Sequence, residues 1–420
     1  MQTTLVSPLA GSANNIKAAK NLVAAALNGA QVMPEKPGTG PLLGAWPTPP
    51  VGMWPHHAVI SENNFIFKSL SSWALNTAVG CEHACRFCYV PSTSTIKLTP
   101  ELNELGVEDP DAEWGQYVFL RSWDEAKFLA SLRHAEQTPV DKLKSDGNRA
   151  VLLCSTTDPY QVIKHPDPKR ANELRDHAAF VVRRALELIR DHSTINVRIL
   201  TRSPLAKRDF DLFKSLGKRL LFGMSLPTLD NQLARIYEPK APAPSQRLAT
   251  LQAATAAGIP VFVALAPTPA EVDEADLRAT LTEIKKLKPI TVFHEPINMR
   301  AENVERIETH ARALGVKLNT SVFATREAWR AYSVAQLKMV ERVAGEVGLR
   351  RQLHLWPDKT LGSNAAVSEQ CDPTAYRAWL ESWWARISEW PGVERAAWTP
   401  PALPPSPFTV PALQSLTVST

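Results

Sequence analysis

The sequence predicts an α/β protein built on a parallel β-sheet, open or closed into a partial barrel, with an extension at each end. Short apolar segments alternate with helical ones through the middle of the chain. Most predicted strands are unbroken apolar runs, which is typical of parallel strands covered on both faces. The chain has 420 residues, enough for one large domain with extensions or for two medium domains.

The predicted elements follow one another in a repeated β–α order. The strands are predicted at Trp73–Val79, Tyr117–Leu120, Ala150–Cys154, Val197–Thr201, Leu220–Ser225, Val261–Ala266 and Ile290–His294. The helices are predicted at Lys169–Arg190, Pro204–Leu216, Ser245–Ala257, Glu274–Leu287, Glu302–Leu314 and Arg326–Val347. Gly258 directly follows one of these helices, as a C-terminal stop signal does. Such repeats favour a parallel sheet covered by helices.

Three regions are expected along the chain. Residues 1–70 form an N-terminal extension, in which Asn14–Leu27 is a candidate helix and the Pro- and Gly-rich segment Met33–His57 an irregular arm. Residues 71–360 form the core, and residues 361–420 a C-terminal helix followed by a Pro-rich tail.

The C-terminal helix is predicted from its start signal and its apolar stripe. Asp372-Pro373 supplies an N-cap acceptor and a proline at the first helical position. The stripe consists of Tyr376, Leu380, Trp383, Trp384 and Ile387, with Trp379 at its edge. We expect this helix to dock on the main domain and the tail from Trp398 onwards to be extended or disordered.

Composition and charge indicate an ordinary globular protein. The chain is 44% hydrophobic and 21% charged, and its 47 basic and 42 acidic residues leave a net charge of +5. That charge is too small to indicate a polyanionic partner. No apolar run reaches the roughly 18 residues of a membrane span, and the apolar stretch Leu22–Leu27 is shorter than a signal peptide needs. We expect a cytoplasmic protein without membrane contact.

One segment is locally basic. Arg198–Arg219 holds seven basic residues against Asp209 and Asp211. A solvated helix face is the expected explanation, and a phosphate-binding patch is the alternative.

Polar side chains follow nearly every predicted strand. They include Ser155–Asp158, Thr201–Ser203, Ser225 and His294-Glu295. In parallel α/β folds the chemistry collects at the C-terminal ends of the strands. This distribution therefore predicts a site at that edge.

Three of the five cysteines lie within eight residues. Cys81, Cys85 and Cys88 have the spacing C-x3-C-x2-C directly after the first core strand, whereas Cys154 and Cys371 lie far away. An odd number with this clustering does not suit a secreted disulfide framework and indicates metal binding in a reducing compartment.

This spacing suits a [4Fe–4S] cluster. Three thiolates can bind three irons of a cubane and leave the fourth iron open. The methionine moiety of S-adenosylmethionine (SAM) can chelate that iron, and an electron passed to its sulfonium breaks a C–S bond. Zinc held by Cys81, His83, Cys85 and Cys88 is the main alternative.

At these residues the sequence resembles the radical SAM superfamily, whose signature is C-x3-C-x-aromatic-C; Phe87 is the aromatic residue. Over about residues 70 to 300 it is also similar to the spore photoproduct lyase family. The similar segments are Cys154–Tyr160, Leu200–Ser203, Met224–Leu226, Glu238-Pro239, Arg247-Leu248, Ala257–Ile259, Ala266-Pro267 and Phe293–Glu295. The resemblance implies a partial (β/α)6 TIM-like barrel with the cluster at its top.

The resemblance also implies roles for strand-end residues. Ser155 and Thr156 would meet the SAM amino group, and Arg202 the SAM carboxylate, to which a guanidinium is well suited. Ser225 would reach the ribose hydroxyls or the carboxylate, and Tyr89 the adenine. The alternatives are helix capping by Ser155 and Thr156, a surface ion pair for Arg202, and core packing for Tyr89.

The sequence departs from the lyase pattern at the residues that return hydrogen. Phe87 stands where the lyase family has a tyrosine. Cys154 lies beside the position of the lyase cysteine and is the candidate hydrogen donor; a small buried hydrophobe is its other interpretation.

The resulting hypothesis is an enzyme that cleaves SAM reductively to a 5′-deoxyadenosyl radical, which abstracts hydrogen from a substrate. A DNA photolesion is the substrate that the lyase resemblance implies, with DNA as a partner and lyase-like DNA repair as the role. The alternatives are a peptide, RNA or small-molecule substrate. An electron donor such as flavodoxin or ferredoxin is expected. The hypothesis of another class is a zinc-binding nucleic-acid or protein-interaction module.

Overall fold

The computed structural model describes residues 50–63, 68–143, 147–300, 302–396, 398–399 and 401. The predicted helix at Asn14–Leu27, residues 33–49 of the arm and residues 402–420 of the tail lie outside these residues. The strands are β1 Val51–His57, β2 Ile60–Glu62, β3 Trp73–Leu75, β4 Ala78–Gly80, β5 Val118–Ser122, β6 Ala150–Leu153, β7 Asn196–Thr201, β8 Leu220–Ser225, β9 Val261–Thr268, β10 Val292–Pro296 and β11 Leu353–Leu355. The α-helices are α1 Val90–Thr93, α2 Thr99–Glu104, α3 Glu125–Gln137, α4 Pro168–His192, α5 Phe210–Leu216, α6 Asn231–Tyr237, α7 Pro244–Ala256, α8 Glu274–Lys286, α9 Asn303–Ala313, α10 Arg326–Glu346, α11 Asn364–Ser368 and α12 Pro373–Ala385.

The main sheet has the strand order β11-β10-β9-β8-β7-β6-β3-β2. Every neighbouring pair from β3 to β11 is parallel, and β2 joins β3 antiparallel. Within the described residues β2 and β11 do not pair with each other, so the barrel is not closed. The predicted partial TIM-like barrel is confirmed. Strand β11 was not predicted, because a strand of three residues carries no measurable periodicity.

The helices between the strands form where capping and apolar spacing predict them. Asp167 begins α4 by accepting a hydrogen bond from the backbone N of Lys169, and Pro168 occupies the first helical position. One face of α4, including Leu174 and Val181, is buried. Each fully buried side chain of this size contributes roughly 1.5–3 kcal/mol, which fixes the helix on the sheet.

A second, three-stranded sheet has the order β1-β5-β4. The single strand predicted at Trp73–Val79 divides into β3 and β4, because the Asn76 side chain between them turns to the backbone after β6. The strand expected at Tyr117–Leu120 pairs with β1 and β4 and not with the barrel. Val51–His57 is likewise a strand, so an irregular arm is wrong there. Its proline, Pro55, is tolerated because β1 lies at a sheet edge.

The basic segment Arg198–Arg219 does not form one surface. Arg198 is fully buried, donates its Nε to the carbonyl of Leu70 at 2.8 Å and lies over three aromatic rings. Arg219 donates to the carbonyls at the end of α4. Lys218 precedes β8 and therefore lies at the edge of the sheet opposite the strand C-termini. The expected solvated helix face is wrong for Arg198, which lies in the core.

The C-terminal helix α12 packs against the core as expected. Trp379, placed at the edge of the stripe by the sequence, is instead fully buried and donates its Nε1 to Glu341 of α10 at 3.0 Å. Ile387 lies beyond the end of the helix and is 40% exposed. None of the helices in the described parts of the chain combines the length and the apolarity that crossing a bilayer requires.

Candidate functional site

An open cavity of about 1140 Å³ lies at the C-terminal edge of the main sheet. Its lining comes from the ends of β6, β7, β8, β9, β10 and β11 and from the loop that follows β4. The nine residues given individual site roles from the sequence all line it: Cys81, Cys85, Cys88, Tyr89, Cys154, Ser155, Thr156, Arg202 and Ser225. Of the other polar strand-end residues, Thr157, Asp158 and Glu295 line the cavity, whereas Thr201, Ser203 and His294 are not among its lining residues. Seven regions far apart in sequence thus contribute to one cavity, which is the arrangement that polar strand ends predict.

The cysteine loop, residues 81–88, turns tightly where β4 ends. Gly80 has a φ of +86°, and a Cβ there would lie 2.2 Å from the carbonyl oxygen of Tyr117. Ala84 has a φ of +54° and packs against Gly115, where an added Cβ would be 2.2 Å from that of Ala84. The loop conformation therefore depends on two glycines that the sequence analysis did not single out.

Backbone hydrogen bonds hold the outer side of the loop. The backbone N of Arg86 donates to the carbonyl of Tyr237 at 2.8 Å, and that of Lys240 to the carbonyl of His83 at 3.3 Å. The backbone N of Glu82 donates to the side-chain oxygen of Gln161 at 2.7 Å. The loop after β6 and the segment after α6 thus fix the cysteines in place.

The three thiols suit an iron–sulfur cluster. Burial raises the pKa of all three cysteines, and that of Cys85 to about 12. A thiolate at such a position needs a compensating positive charge, which iron ions supply. In the described parts of the chain, no group of three or more His, Cys, Asp or Glu side chains is arranged around one metal ion. A cubane instead distributes its thiolates over separate irons.

The zinc alternative requires His83 as its fourth ligand. The Nδ1 of His83 lies 3.4 Å from a carboxylate oxygen of Asp158, and the side chain is buried. Burial lowers the pKa of His83, although Asp158 opposes this shift. His83 therefore links the cysteine loop to the segment that follows β6. Its Nδ1 faces Asp158 and not a metal ion shared with the cysteines.

Asp158 connects three parts of the site. Its Oδ1 accepts hydrogen bonds from the hydroxyl of Thr201 at 2.7 Å and from the backbone N of Tyr160 at 2.8 Å. Its Oδ2 accepts one from the backbone N of Arg202 at 2.8 Å and also faces His83. A single buried carboxylate thus fixes the end of β7 relative to the cysteine loop.

Asn76 orders the first turn after β6. Its Oδ1 accepts hydrogen bonds from the backbone N of Ser155 at 2.9 Å and of Thr156 at 3.0 Å. Its Nδ2 donates to the Ser155 hydroxyl at 3.2 Å. The hydroxyl of Thr157 donates to the carbonyl of Gly80 at 2.6 Å, which ties this turn to the cysteine loop. Asn76 was not anticipated as a site residue, because it lies inside Trp73–Val79, which was predicted to be one continuous strand.

Arg202 reaches the cavity from a buried ion-pair network. Its Nε donates to Glu238 Oε1 at 2.5 Å, and Arg247 Nη2 lies 2.6 Å from Glu238 Oε2. Burial opposes ionisation of Glu238, but the two guanidinium groups outweigh it and hold its pKa below the ordinary value. Arg247 also donates to the carbonyl of Ser225 at 3.1 Å. With Nε engaged, the two terminal nitrogens of Arg202 are those that could receive a carboxylate.

Ser225 and Tyr89 line the cavity in different ways. The Ser225 hydroxyl donates to the carbonyl of Ala266 at 2.7 Å, so it can offer a ligand only its acceptor lone pairs. The ring of Tyr89 lies 5.8 Å from Lys68 Nζ and 5.6 Å from the guanidinium of Arg300. Tyr89 thus presents an aromatic face to the cavity between two cations.

In the wall at β10 and β11, Glu295 was expected from its place at a strand end, whereas Lys68 and Trp356 were not. Lys68 Nζ is 2.5 Å from Glu295 Oε2 and lies 4.7 Å from the centre of the Trp356 ring. Burial opposes the charge of Lys68, but Glu295 outweighs it and raises the pKa of the amine. Neither Lys68 nor Trp356 belongs to a recognisable motif, so only the fold brings them together.

Cys154 lines the same cavity as the three clustered cysteines. Burial raises its pKa to about 12, so the thiol keeps its proton near neutral pH. Its Sγ lies 3.7 Å from the Thr77 hydroxyl. Phe87 stacks on Tyr237, whose hydroxyl donates to Glu271 at 2.8 Å.

Comparisons with known proteins agree with this geometry. A family model described as the radical SAM superfamily matches residues 75–284. An uncharacterized protein of Acidianus two-tailed virus is 32% identical over 255 residues, covering 59% of this chain and 75% of that protein. An uncharacterized protein of Mycobacterium tuberculosis is 26% identical over 197 residues, covering 46% of this chain and 49% of its own. A solved spore photoproduct lyase variant aligns with a TM-score of 0.50 and 13% identity over 73% of this chain and 80% of its own; this likeness shows a shared fold.

Proposed function

Because this chain belongs to the radical SAM superfamily, we propose that it is an enzyme that uses a [4Fe–4S] cluster to cleave SAM reductively. The cluster and SAM are the cofactors of this superfamily. When bound, the reduced cluster would supply one electron to the sulfonium of SAM, whose C–S bond would break to release a 5′-deoxyadenosyl radical that takes a hydrogen atom from a substrate. The observation that carries the proposal is the convergence of three clustered thiols and several polar strand ends on one cavity.

The side chains of this cavity support specific roles. Cys81, Cys85 and Cys88 would ligate three irons. Arg202, oriented by its ion pair, would bind the SAM carboxylate through its terminal nitrogens. Tyr89 would stack on the adenine.

Four further residues would bind SAM or return hydrogen. Ser155 and Thr156 would meet the SAM amino group with their hydroxyl oxygens, since their backbone N–H groups are engaged by Asn76. Ser225 would accept a hydrogen bond from a ribose hydroxyl. The protonated thiol of Cys154 would return hydrogen to the product radical, which a thiolate could not do.

A DNA photolesion remains the substrate candidate suggested by the lyase resemblance. The basic segment Arg198–Arg219 gives a DNA substrate little support. Arg208 follows β7, at the C-terminal edge of the sheet, whereas Lys218 precedes β8, at the opposite edge. A peptide, RNA or small-molecule substrate is the alternative. The clustered thiols favour a reducing compartment such as the cytoplasm.

The test is anaerobic reconstitution with iron and sulfide, followed by dithionite and SAM. We expect a cluster spectrum and release of 5′-deoxyadenosine. Absence of both would refute the proposal, and stoichiometric zinc without iron would favour the binding-module hypothesis. Cys154→Ala should keep both signals, because Cys154 belongs to hydrogen return and not to SAM cleavage. Loss of the cluster in Cys154→Ala would contradict its assigned role.

A further inference from the structure

The outer face of the cysteine loop carries exposed basic residues. Arg86 lies between two of the clustered cysteines and is half-buried, while Lys164 and Lys240 are exposed. Lys164 and Lys240 interact electrostatically with the carboxylate of Glu82, and Arg86 interacts with Lys240. They therefore share one surface that directly covers the loop.

This surface is held rigidly to the cysteines. The backbone N of Arg86 and that of Lys240 both take part in the hydrogen bonds that fasten the loop. Gln161, three residues before Lys164, accepts the hydrogen bond from Glu82. A protein bound here would thus contact the backbone that carries the cluster ligands.

The positive charges of this surface are only partly neutralised by neighbouring groups. The buried Nε of Arg86 has no hydrogen-bond partner within the described residues. Lys240 donates its Nζ to the carbonyl of Gly115, an uncharged group, at 2.6 Å. The neighbouring carboxylates Asp109, Glu302 and Glu305 group together on the side of Arg306. Glu82 is the acid among the three cations, so the surface keeps a positive charge.

An apolar side chain accompanies the cations. Val162 lies between Gln161 and Lys164 and is 44% exposed. Encounters between redox proteins bury little area, less than about 1,200 Å², and rely on charge complementarity for their rate. A small apolar contact beside basic residues has this character.

We propose that Arg86, Lys164, Lys240 and Val162 form the docking surface for an acidic one-electron carrier protein. The inference rests on the proposed function, which requires reduction of the cluster. The carrier loses one electron and the cluster gains it, so no further reactant is needed. Docking on this face brings the carrier next to the ligand loop.

The test compares reduction of the reconstituted holoenzyme by an acidic flavodoxin and by a photoreduced deazaflavin, a small neutral reductant. In the double variant Lys164→Glu/Lys240→Glu we expect flavodoxin to reduce the cluster about tenfold more slowly at low salt. The difference should shrink at high salt, where charges are screened. Reduction by the deazaflavin should be unchanged. Lys164→Gln/Lys240→Gln should show a smaller loss and guards against misfolding of the charge-reversed protein.

The matched control is Lys142→Glu/Lys214→Glu, which makes the same net charge change at exposed lysines away from the loop. It should leave the flavodoxin rate unchanged. An equal loss in this control, or a wild-type rate in both lysine-pair variants, would overturn the proposal. If the deazaflavin reduces no cluster even in the wild-type protein, the proposed function fails, and that outcome is distinct from failure of docking.

Discussion

Replacing Glu238 by glutamine should affect both stability and SAM binding. Glu238 is 1% exposed and lies between the guanidinium groups of Arg202 and Arg247. The substitution keeps the shape of the side chain but removes its charge, so two cations face one neutral amide. Removing one partner of a buried ion pair costs about 3–5 kcal/mol.

The lower end of that range applies to Glu238→Gln. Arg247 retains its hydrogen bonds to the carbonyls of Pro242 and Ser225, and the Arg202 side chain is 19% exposed and partly screened. We therefore expect a loss of about 3 kcal/mol, which lowers the thermal midpoint of a chain of this length by roughly 3–4 °C. Because Arg202 loses the partner that orients it, SAM should bind about tenfold more weakly, equivalent to 1.4 kcal/mol.

The assay is thermal unfolding of the protein at a fixed heating rate, together with anaerobic titration of the holoenzyme with SAM. Glu125→Gln is the matched control, because Glu125 forms a bidentate pair with Arg184 at the surface. That variant should unfold and bind SAM as the wild type does. A wild-type midpoint and SAM affinity for Glu238→Gln would refute the argument that this network orients Arg202.

Three further predictions concern Asn76, Gly80 and His294. Asn76→Ala should weaken SAM binding without loss of iron, because it removes the acceptor that holds the turn at Ser155 and Thr156. Asn76→Asp keeps the acceptor oxygen and should retain most of the SAM affinity. An equal loss of SAM affinity in both variants would contradict this explanation. Gly80→Ala should lower the iron bound per chain, because a Cβ at Gly80 would meet the backbone of Tyr117. Gly106→Ala is the control and should keep its iron, because Gly106 has a similar φ of +85° but open space around it. Equal iron contents in the two variants would show that the cysteine loop does not depend on Gly80. Burial lowers the pKa of His294 from 6.5 to about 4. As the pH falls, the imidazole of His294 is therefore protonated at a higher pH in the unfolded chain than in the folded protein. Stability should therefore fall by about 3 kcal/mol as the pH drops from 6.5 to 4. His294→Gln should show a shallower loss in denaturant titrations over that range, and an unchanged slope would show that His294 is not responsible.

Most of the fold was predictable from local sequence patterns, and the elements that were predicted wrongly have physical explanations. The strands β6 to β10 follow from apolar runs long enough to be distinguished, whereas β1 and β11 form through pairing with partners distant in sequence. The break between β3 and β4 depends on the Asn76 side chain bonding 79 residues away, which no local pattern reveals.

The candidate site was predictable to the extent that it consists of motifs. The cysteine spacing, the polar strand ends and the family resemblance together identified nine residues that do line one cavity. The residues that orient them, Asp158, Glu238 and Arg247, act through buried contacts between separate strands and helices. Lys68 and Trp356 meet across 288 residues and belong to no motif. Their contribution follows from the fold alone.

The most direct test of the central claim is the metal content and the electron paramagnetic resonance spectrum of anaerobically purified protein. The account predicts four irons and four sulfides per cluster and one cluster per chain. After reduction the spectrum should change when SAM is added, because SAM reaches the iron without a cysteine ligand. Cys85→Ala should lose the cluster. Stoichiometric zinc, or a reduced cluster whose spectrum is indifferent to SAM, would contradict the account.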